Sequence, residues 1–384
     1  MVKGFLLLGF ICLNMVGGLL AQPRPPMMGW SSWNEFRIHI NEKMIREQAD
    51  AMIATGLHDA GYQFVNIDDG YFGGREASGK LFVEAKKFPS GMAALTSYIH
   101  HKGLKTGIYT DAGKNTCGSI WDKDPNGFGV GIYGHVEQDC QLFFKEWGFD
   151  FLKVDWCGGE KMKLDEQTEY TKIIKAVKAI DPAIGFNICR WQFPGEWAIR
   201  LADSWRMSHD IGNNFKSILK IIDQNADLYQ YASPGHYNDM DILQVGRGMT
   251  YEEDKTHFSM WCMLNSPLMA GNDLRKMTDE TLRLLTNKEL IAINQDISQV
   301  QARRVFKDGH TEVWMKRLKN KKEHAIAILN RSDKTSYFTI PTEKLGLKNK
   351  YKVRDLWKHQ NLGRLKSLGS LEVAGHGVVI LKVY

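Results

Sequence analysis

Two short runs, Phe64-Val65-Asn66-Ile67-Asp68-Asp69 and Phe151-Leu152-Lys153-Val154-Asp155, each end a β-branched and aromatic stretch in carboxylates. A strand buried in a parallel sheet reads as a near-continuous apolar run, and an ionised Asp inside it is costly, so the acids belong at the strand ends. In an α/β barrel that end is the C-terminal mouth, where catalytic groups from several strands converge. One such Asp is better read as the cap of the following helix. Several strand ends doing the same thing are not. Asp68, Asp69, Asp111, Asp155, Asp210, Asp239 and Asp241 all fall at or just after such ends, with Trp30, Trp33, Tyr71, Tyr109, Trp156, Trp191 and Tyr237 close by in sequence. Paired carboxylates supply a nucleophile or base and a proton donor, while flat aromatic faces and charged hydrogen-bonding groups fit a sugar. The pattern points to a glycosidase.

Other chemistries lack their signatures. Gly129-Val130-Gly131-Ile132-Tyr133-Gly134 matches the dinucleotide fingerprint, yet it follows Asp124-Pro125-Asn126-Gly127 and not a strand, so it reads as a loop. The adjacent His100 and His101 sit at a helix end, and there is no GxSxG elbow, which argues against a barrel metallohydrolase and a serine hydrolase. The basic run from Lys316 to Lys322 reads as a hairpin tip without any nucleic-acid signature.

The elements that position these acids follow a βα rhythm. Strand candidates are Met28 to Trp33, Phe64 to Asp69, Leu104 to Asp111, Phe151 to Asp155, Ile184 to Cys189, Trp205 to Ser208, Leu228 to Ala232 and Pro267 to Ala270. Helical periodicity fills the gaps at Glu42 to Thr55, Met92 to His101, Val136 to Trp147, Gln167 to Ile180, Phe215 to Gln224 and Glu252 to Leu264. Eight such units fill a (β/α)8 TIM barrel. From about Gln301 the pattern becomes short alternating runs, Thr311 to Lys316, His324 to Asn330, Ser336 to Pro341, Lys350 to Trp357 and Ser370 to Tyr384, which read as a C-terminal antiparallel β-sandwich. The division is a leader at residues 1–21, a barrel at 22–299 and a sandwich at 300–384, packed together because no low-complexity linker separates them.

The 384 residues are 43% hydrophobic and 24% charged, enough for a large core. Lys3 followed by an apolar Gly4 to Leu20 resembles a signal peptide, and Asn14 and two glycines weaken it as a membrane span. Its removal takes the formal charge from +6 to +5, a dispersed excess that indicates no nucleic-acid partner. Cys117, Cys140, Cys157, Cys189 and Cys262 remain, an odd number without a CxxC pair, so a zinc ribbon is excluded and at least one thiol stays free.

Read in order, Pro25-Pro26-Met27-Met28-Gly29-Trp30-Ser31-Ser32-Trp33-Asn34, Asp59-Ala60-Gly61-Tyr62, Ile67-Asp68-Asp69, Gly103-Leu104-Lys105-Thr106-Gly107-Ile108-Tyr109, Leu152-Lys153-Val154-Asp155, Asn238-Asp239-Met240-Asp241 and Asn272-Asp273-Leu274-Arg275 closely resemble glycoside hydrolase family 27. This is the α-galactosidase and α-N-acetylgalactosaminidase family. The resemblance implies a retaining exo-glycosidase acting on terminal α-galactosides, with Asp155 as nucleophile and Asp210 as acid/base, and no cofactor or metal. It implies that Trp33, Asp68, Asp69, Tyr109 and Lys153 meet the 3-, 4- and 6-hydroxyl side of galactose, that Arg206 and Asp241 complete the pocket, and that Cys117 and Cys157 form a disulfide beside it. An α-N-acetylgalactosaminidase and a catalytically inactive carbohydrate-binding protein are the competing readings.

The retaining mechanism needs one carboxyl ionised and the other protonated. Lys153, two residues before Asp155, faces the same side of the strand and is expected to favour Asp155 as the anion, which in turn raises the proton affinity of Asp210. The chain departs from the family where α-galactosidases carry Cys-Glu-Trp and it reads Cys189-Arg190-Trp191. Arg190 is expected either to donate to the 2-hydroxyl of galactose or to pair with a nearby carboxylate such as Glu196, and Phe193 is expected to crowd out an N-acetyl group.

Overall fold

The computed structural model describes residues 23–340, 345–347, 351–365 and 368–384. The expected leader, residues 1–21, lies outside them, as do Pro341 and Lys350 at the ends of two expected strands.

Eight parallel strands, β1 (Met28–Ser31), β2 (Phe64–Ile67), β3 (Lys105–Asp111), β4 (Phe151–Asp155), β5 (Gly185–Ile188), β6 (Ser204–Arg206), β7 (Tyr237–Asp239) and β8 (Leu268–Ala270), lie side by side in the order 8-1-2-3-4-5-6-7. Just past β7, Leu243 bridges in parallel to Ala270 of β8, and its N–H donates to Met269 O at 2.7 Å. That contact closes the ring. Polar side chains cap the helices outside it: Asn41 accepts from Met44 N, Asp165 from Thr168 N, and Thr250 forms a reciprocal capping box with Glu253. The helix Glu166–Ile180 buries Tyr170, Ile173, Ile174 and Val177, one stripe at helical spacing that faces the strands.

Two of the expected barrel elements differ from the sequence reading, and in the C-terminal part the expected run Ser370 to Tyr384 divides into Leu368–Val373 and Val378–Val383. Leu228 to Ala232 is a turn, and the seventh strand is Tyr237–Asp239. The true strand is polar and its polarity is satisfied internally: the Asn238 side chain accepts from Trp205 Nε1 at 2.8 Å and donates to Leu228 O and Gln301 Oε1, each at 3.0 Å. The expected helix from Val136 becomes α-helical to Gln141 and then widens over Leu142–Glu146, with Trp147 N–H reaching Leu142 O at 2.8 Å.

The C-terminal part is a six-stranded antiparallel sheet with a two-stranded ribbon, Ser336–Ile340 against Leu368–Val373. Alternate residues of its strands serve different cores. Ala325, Ala327, Val378 and Ile380 join the barrel's core, while Ile326, Ile328, Leu381 and Val383 form a separate core within the sandwich. Charges tie the two parts together. Arg331 Nη1 lies 2.7 Å from Asp223 Oδ1 on a barrel helix and 2.6 Å from Glu312 Oε1 on the sheet. Lys316 is fully buried, and its Nζ donates to Ile293 O at 2.5 Å, to Cys262 O at 3.5 Å and to Asn265 Oδ1. Burial pushes its amine down to about 7.

Candidate active site

At the C-terminal mouth of the barrel the strand ends surround a cavity of about 550 Å³. Its floor starts from β4. Asp155 is the last residue of that strand and is 6% exposed, its Oδ1 accepting the Trp156 N–H at 3.0 Å. Lys153 points the same way, as period-two alternation requires, and its Nζ lies 2.8 Å from Asp68 Oδ2 at the end of β2. Tyr109 of β3 stands in register beside Lys153, with Lys153 Nζ 5.5 Å from its ring centroid, and its hydroxyl accepts the Cys117 N–H at 3.2 Å. Cys117 and Cys157 form a disulfide in the wall.

The opposite side is built by β6 and the loop after β7. Arg206 Nη2 meets Asp241 Oδ2 at 2.6 Å and Asp210 Oδ1 at 3.1 Å. Asp241 sits at φ 82°, a left-handed conformation uncommon for a residue other than glycine. Its backbone is locked there, the N–H donating to Asp239 Oδ1 and the carbonyl accepting from Trp261 Nε1, both at 2.9 Å. Trp33, Trp191 and Asp210 complete the part of the wall anticipated from sequence.

Lys153 favours the Asp155 anion as the strand alternation suggests, but burial opposes it. Burial acts most strongly on Asp155 and pushes its carboxyl up to about 8, against the charge of Lys153, with Asp111 and Asp210 adding repulsion. Desolvation by the walls also acts upward on Asp210, but the guanidinium of Arg206, with Lys153 and Arg37 behind it, outweighs this and holds that carboxyl below its ordinary range. Burial thus favours the protonated form of Asp155, and the guanidinium of Arg206 the ionised form of Asp210. Geometry adds to the effect of burial: Lys153 gives its hydrogen bond to Asp68 and acts on Asp155 through space alone, whereas Arg206 touches Asp210 directly.

Of the eleven residues expected to act on or bind the sugar, nine line the cavity: Trp33, Asp68, Tyr109, Cys117, Lys153, Asp155, Arg206, Asp210 and Asp241. Asp69 and Arg190 do not. Asp69 turns behind the wall, one oxygen accepting Gly70 N–H and the other Gly118 N–H, each at 2.7 Å, and burial pushes its carboxyl up to about 7. Through the Gly118 N–H it braces the helix that starts at Cys117. Arg190 turns outward to Glu166, Nε to Oε1 at 2.5 Å, with its guanidinium carbon 5.6 Å from the Trp191 ring centroid. An ion pair with a carboxylate in the first turn of a helix outcompetes contact with a neutral hydroxyl. Its partner is Glu166, not Glu196. Phe193 also faces away, stacked on Tyr231 with centroids 4.5 Å apart, so it crowds nothing in the cavity. Of that loop, Trp191 alone lines the site among the described residues.

The sequence reading missed several lining residues, among them Arg37, Trp121, Gln244 and Arg247. Arg37 had a signal, since it follows Trp33 by one helical turn, and its guanidinium carbon lies 4.2 Å from the Trp33 ring centroid. Trp121 had none, being an aromatic in a segment without periodicity.

With this geometry in place, comparison with known proteins is informative. Residues 25–296 match the family described as alpha galactosidase A (melibiase), and residues 308–383 match the alpha galactosidase C-terminal β-sandwich domain. Alpha-galactosidase A of Cellvibrio japonicus is 40% identical over 94% of this chain and 92% of its own length. Alpha-galactosidase 2 of Arabidopsis thaliana is 42% identical over 91% of this chain and 87% of its own. The crystal structure of α-galactosidase I from Mortierella vinacea superposes with a TM-score of 0.87 and 31% identity, covering 94% of this chain and 96% of the other.

Proposed function

Because this chain belongs to the α-galactosidase A (melibiase) family, we propose that it is a glycoside hydrolase releasing terminal α-linked galactose from oligo- or polysaccharides or glycoconjugates with retention, through Asp155 as nucleophile and Asp210 as acid/base. The observation that carries this reading is the pair itself: a buried strand-end carboxyl and a second, more open one held by Arg206, facing one blind cavity.

Trp33 offers the sugar a flat face, Asp68, Tyr109 and Lys153 take the 3-, 4- and 6-hydroxyl side, and Arg206 and Asp241 complete the ring of polar contacts. A carboxylate oxygen of Asp155 attacks the anomeric carbon, the glycosidic bond breaks, and its electron pair stays on the leaving oxygen, which takes a proton from Asp210. Water then attacks the glycosyl-enzyme ester, gives a proton to Asp210 and frees Asp155. The chemistry needs one proton on the pair, and it needs that proton on Asp210. Burial of Asp155 and the guanidinium of Arg206 both work against that arrangement in the open cavity. When the ester forms, the Asp155 charge disappears and Asp210 titrates as a single base.

Since Arg190 and Phe193 lie outside the cavity, preference for an unsubstituted 2-hydroxyl rests on Trp191 and on the kinship with α-galactosidases. We read the chain as exported, given the apolar leader in the sequence and a cysteine pair of the kind that persists in oxidising compartments. No helix among the described residues is long and apolar enough to cross a membrane.

Release of galactose from a nitrophenyl α-galactoside tests the activity, with Asp155→Ala as the control. Turnover by the wild type and none by the folded variant is expected. Near-normal turnover by the variant would end the mechanism.

A further inference from the structure

We propose that Trp121 is a stacking platform for the sugar ring attached to the terminal galactose, so that oligosaccharide α-galactosides are favoured over substrates with small leaving groups; this rests on the reading of Asp155 and Asp210 above. The cavity is graded from a sealed end to an open one. At the sealed end Asp155 is 6% exposed and Arg206 3%, whereas the Asp210 side chain is 65% exposed and Trp121 69%. A terminal sugar attacked by Asp155 occupies the sealed end. The general acid marks the level of the glycosidic oxygen, because it must protonate it. A lining residue as open as Trp121 therefore stands on the leaving-group side.

The segment that carries Trp121 is anchored on both sides of the residue, while the indole stays uncovered. The helix Cys117–Trp121 is tied at its start by the Cys117–Cys157 disulfide and by Gly118 N–H to Asp69 Oδ2 at 2.7 Å. Immediately after it, Asp122 takes a two-pronged pair from Arg37, Nε at 2.9 Å and Nη2 at 2.7 Å. Arg37 in turn lies over Trp33, so the platform is coupled to the wall of the galactose pocket. Phe128, further along the same segment and 58% exposed, does not line the cavity. An uncovered indole on an anchored segment costs little backbone ordering when a ligand arrives, and its flat apolar face matches the C–H face of a pyranose.

The test compares Trp121→Ala with the wild type on raffinose, which carries a sugar beyond the galactose, and on α-galactosyl fluoride, whose leaving group cannot reach Trp121. The variant should lose about ten-fold in kcat/KM on raffinose, mainly through KM, and stay within about two-fold on the fluoride, with Trp121→Phe keeping most of the raffinose activity. Equal losses on both substrates, or none on raffinose, overturns the proposal. A wild type inert towards the fluoride overturns the reading of Asp155 and Asp210, and the platform with it.

Discussion

Replacing Lys153 by Met tests the claim that its charge acts on Asp155 through space. The two residues are separated by one on β4, so their charges are about 7 Å apart along the strand, and at an effective dielectric constant of about 20 the attraction is about 2 kcal/mol. That corresponds to roughly 1.5 pH units. Lys153 favours the Asp155 anion, so its removal raises a carboxyl that burial already pushes up to about 8. In the wild type, kcat/KM should fall above a pH near 8, as the pair loses its last proton. In Lys153→Met this alkaline limb should move up by roughly 1.5 units. The same variant strands Asp68, which is 3% exposed, so Lys153→Met combined with Asp68→Asn removes the unpaired charge while keeping the shift. Both variants lose a sugar contact and activity at every pH; the position of the limb is what is read. A nitrophenyl α-galactoside profile from pH 4 to 10 decides it. If the limbs of wild type and variants superimpose, the argument from strand geometry is refuted.

Asp210→Ala should lose far more activity on alkyl α-galactosides than on activated aryl ones, which need little protonation; equal losses would remove the acid role. Replacing Cys117 and Cys157 together by Ser opens a cross-link with a sequence separation of 40, worth about 4 kcal/mol in a chain-entropy account, and a urea midpoint that does not move would contradict it. Lys316→Met leaves Ile293 O, Cys262 O and Asn265 Oδ1 without their buried donor, so a loss of about 3 kcal/mol is expected by thermal or urea unfolding. An unchanged midpoint would show that these oxygens find other partners.

The sequence made the barrel legible through strands whose apolar runs stop at acids, because burial on both faces leaves no other place for a charge. Where a strand is itself polar, as at Tyr237–Asp239, that signal vanishes, and the apolar turn at Leu228 to Ala232 took its place in the reading. The site was legible where residues lie on strands: Lys153 and Asp155 share a face by simple alternation. It was illegible where loops choose between partners. Nothing in Cys189-Arg190-Trp191 tells that Arg190 finds Glu166, more than 20 residues earlier, or that Asp69 spends both oxygens on backbone N–H groups. How burial and the nearby cations push the two acids was illegible for the same reason, since it turns on how deeply each acid lies and which cation touches it.

The helix Tyr251–Met263 buries nine of its thirteen residues, an outer helix with almost no outer face. The sandwich supplies that missing solvent-facing half: Trp357 Nε1 donates to Ser259 Oγ at 2.9 Å, His376 O accepts from Thr256 Oγ1 at 2.7 Å, and Trp314 belongs to the barrel's own core. A chain cut near residue 300 would bare this surface, so the catalytic half cannot be harvested as a well-behaved fragment. Protease resistance, expression yield and activity should be lost together when the tail is damaged, with the last 80 or so residues acting as a checkpoint on whether the whole polypeptide has been completed.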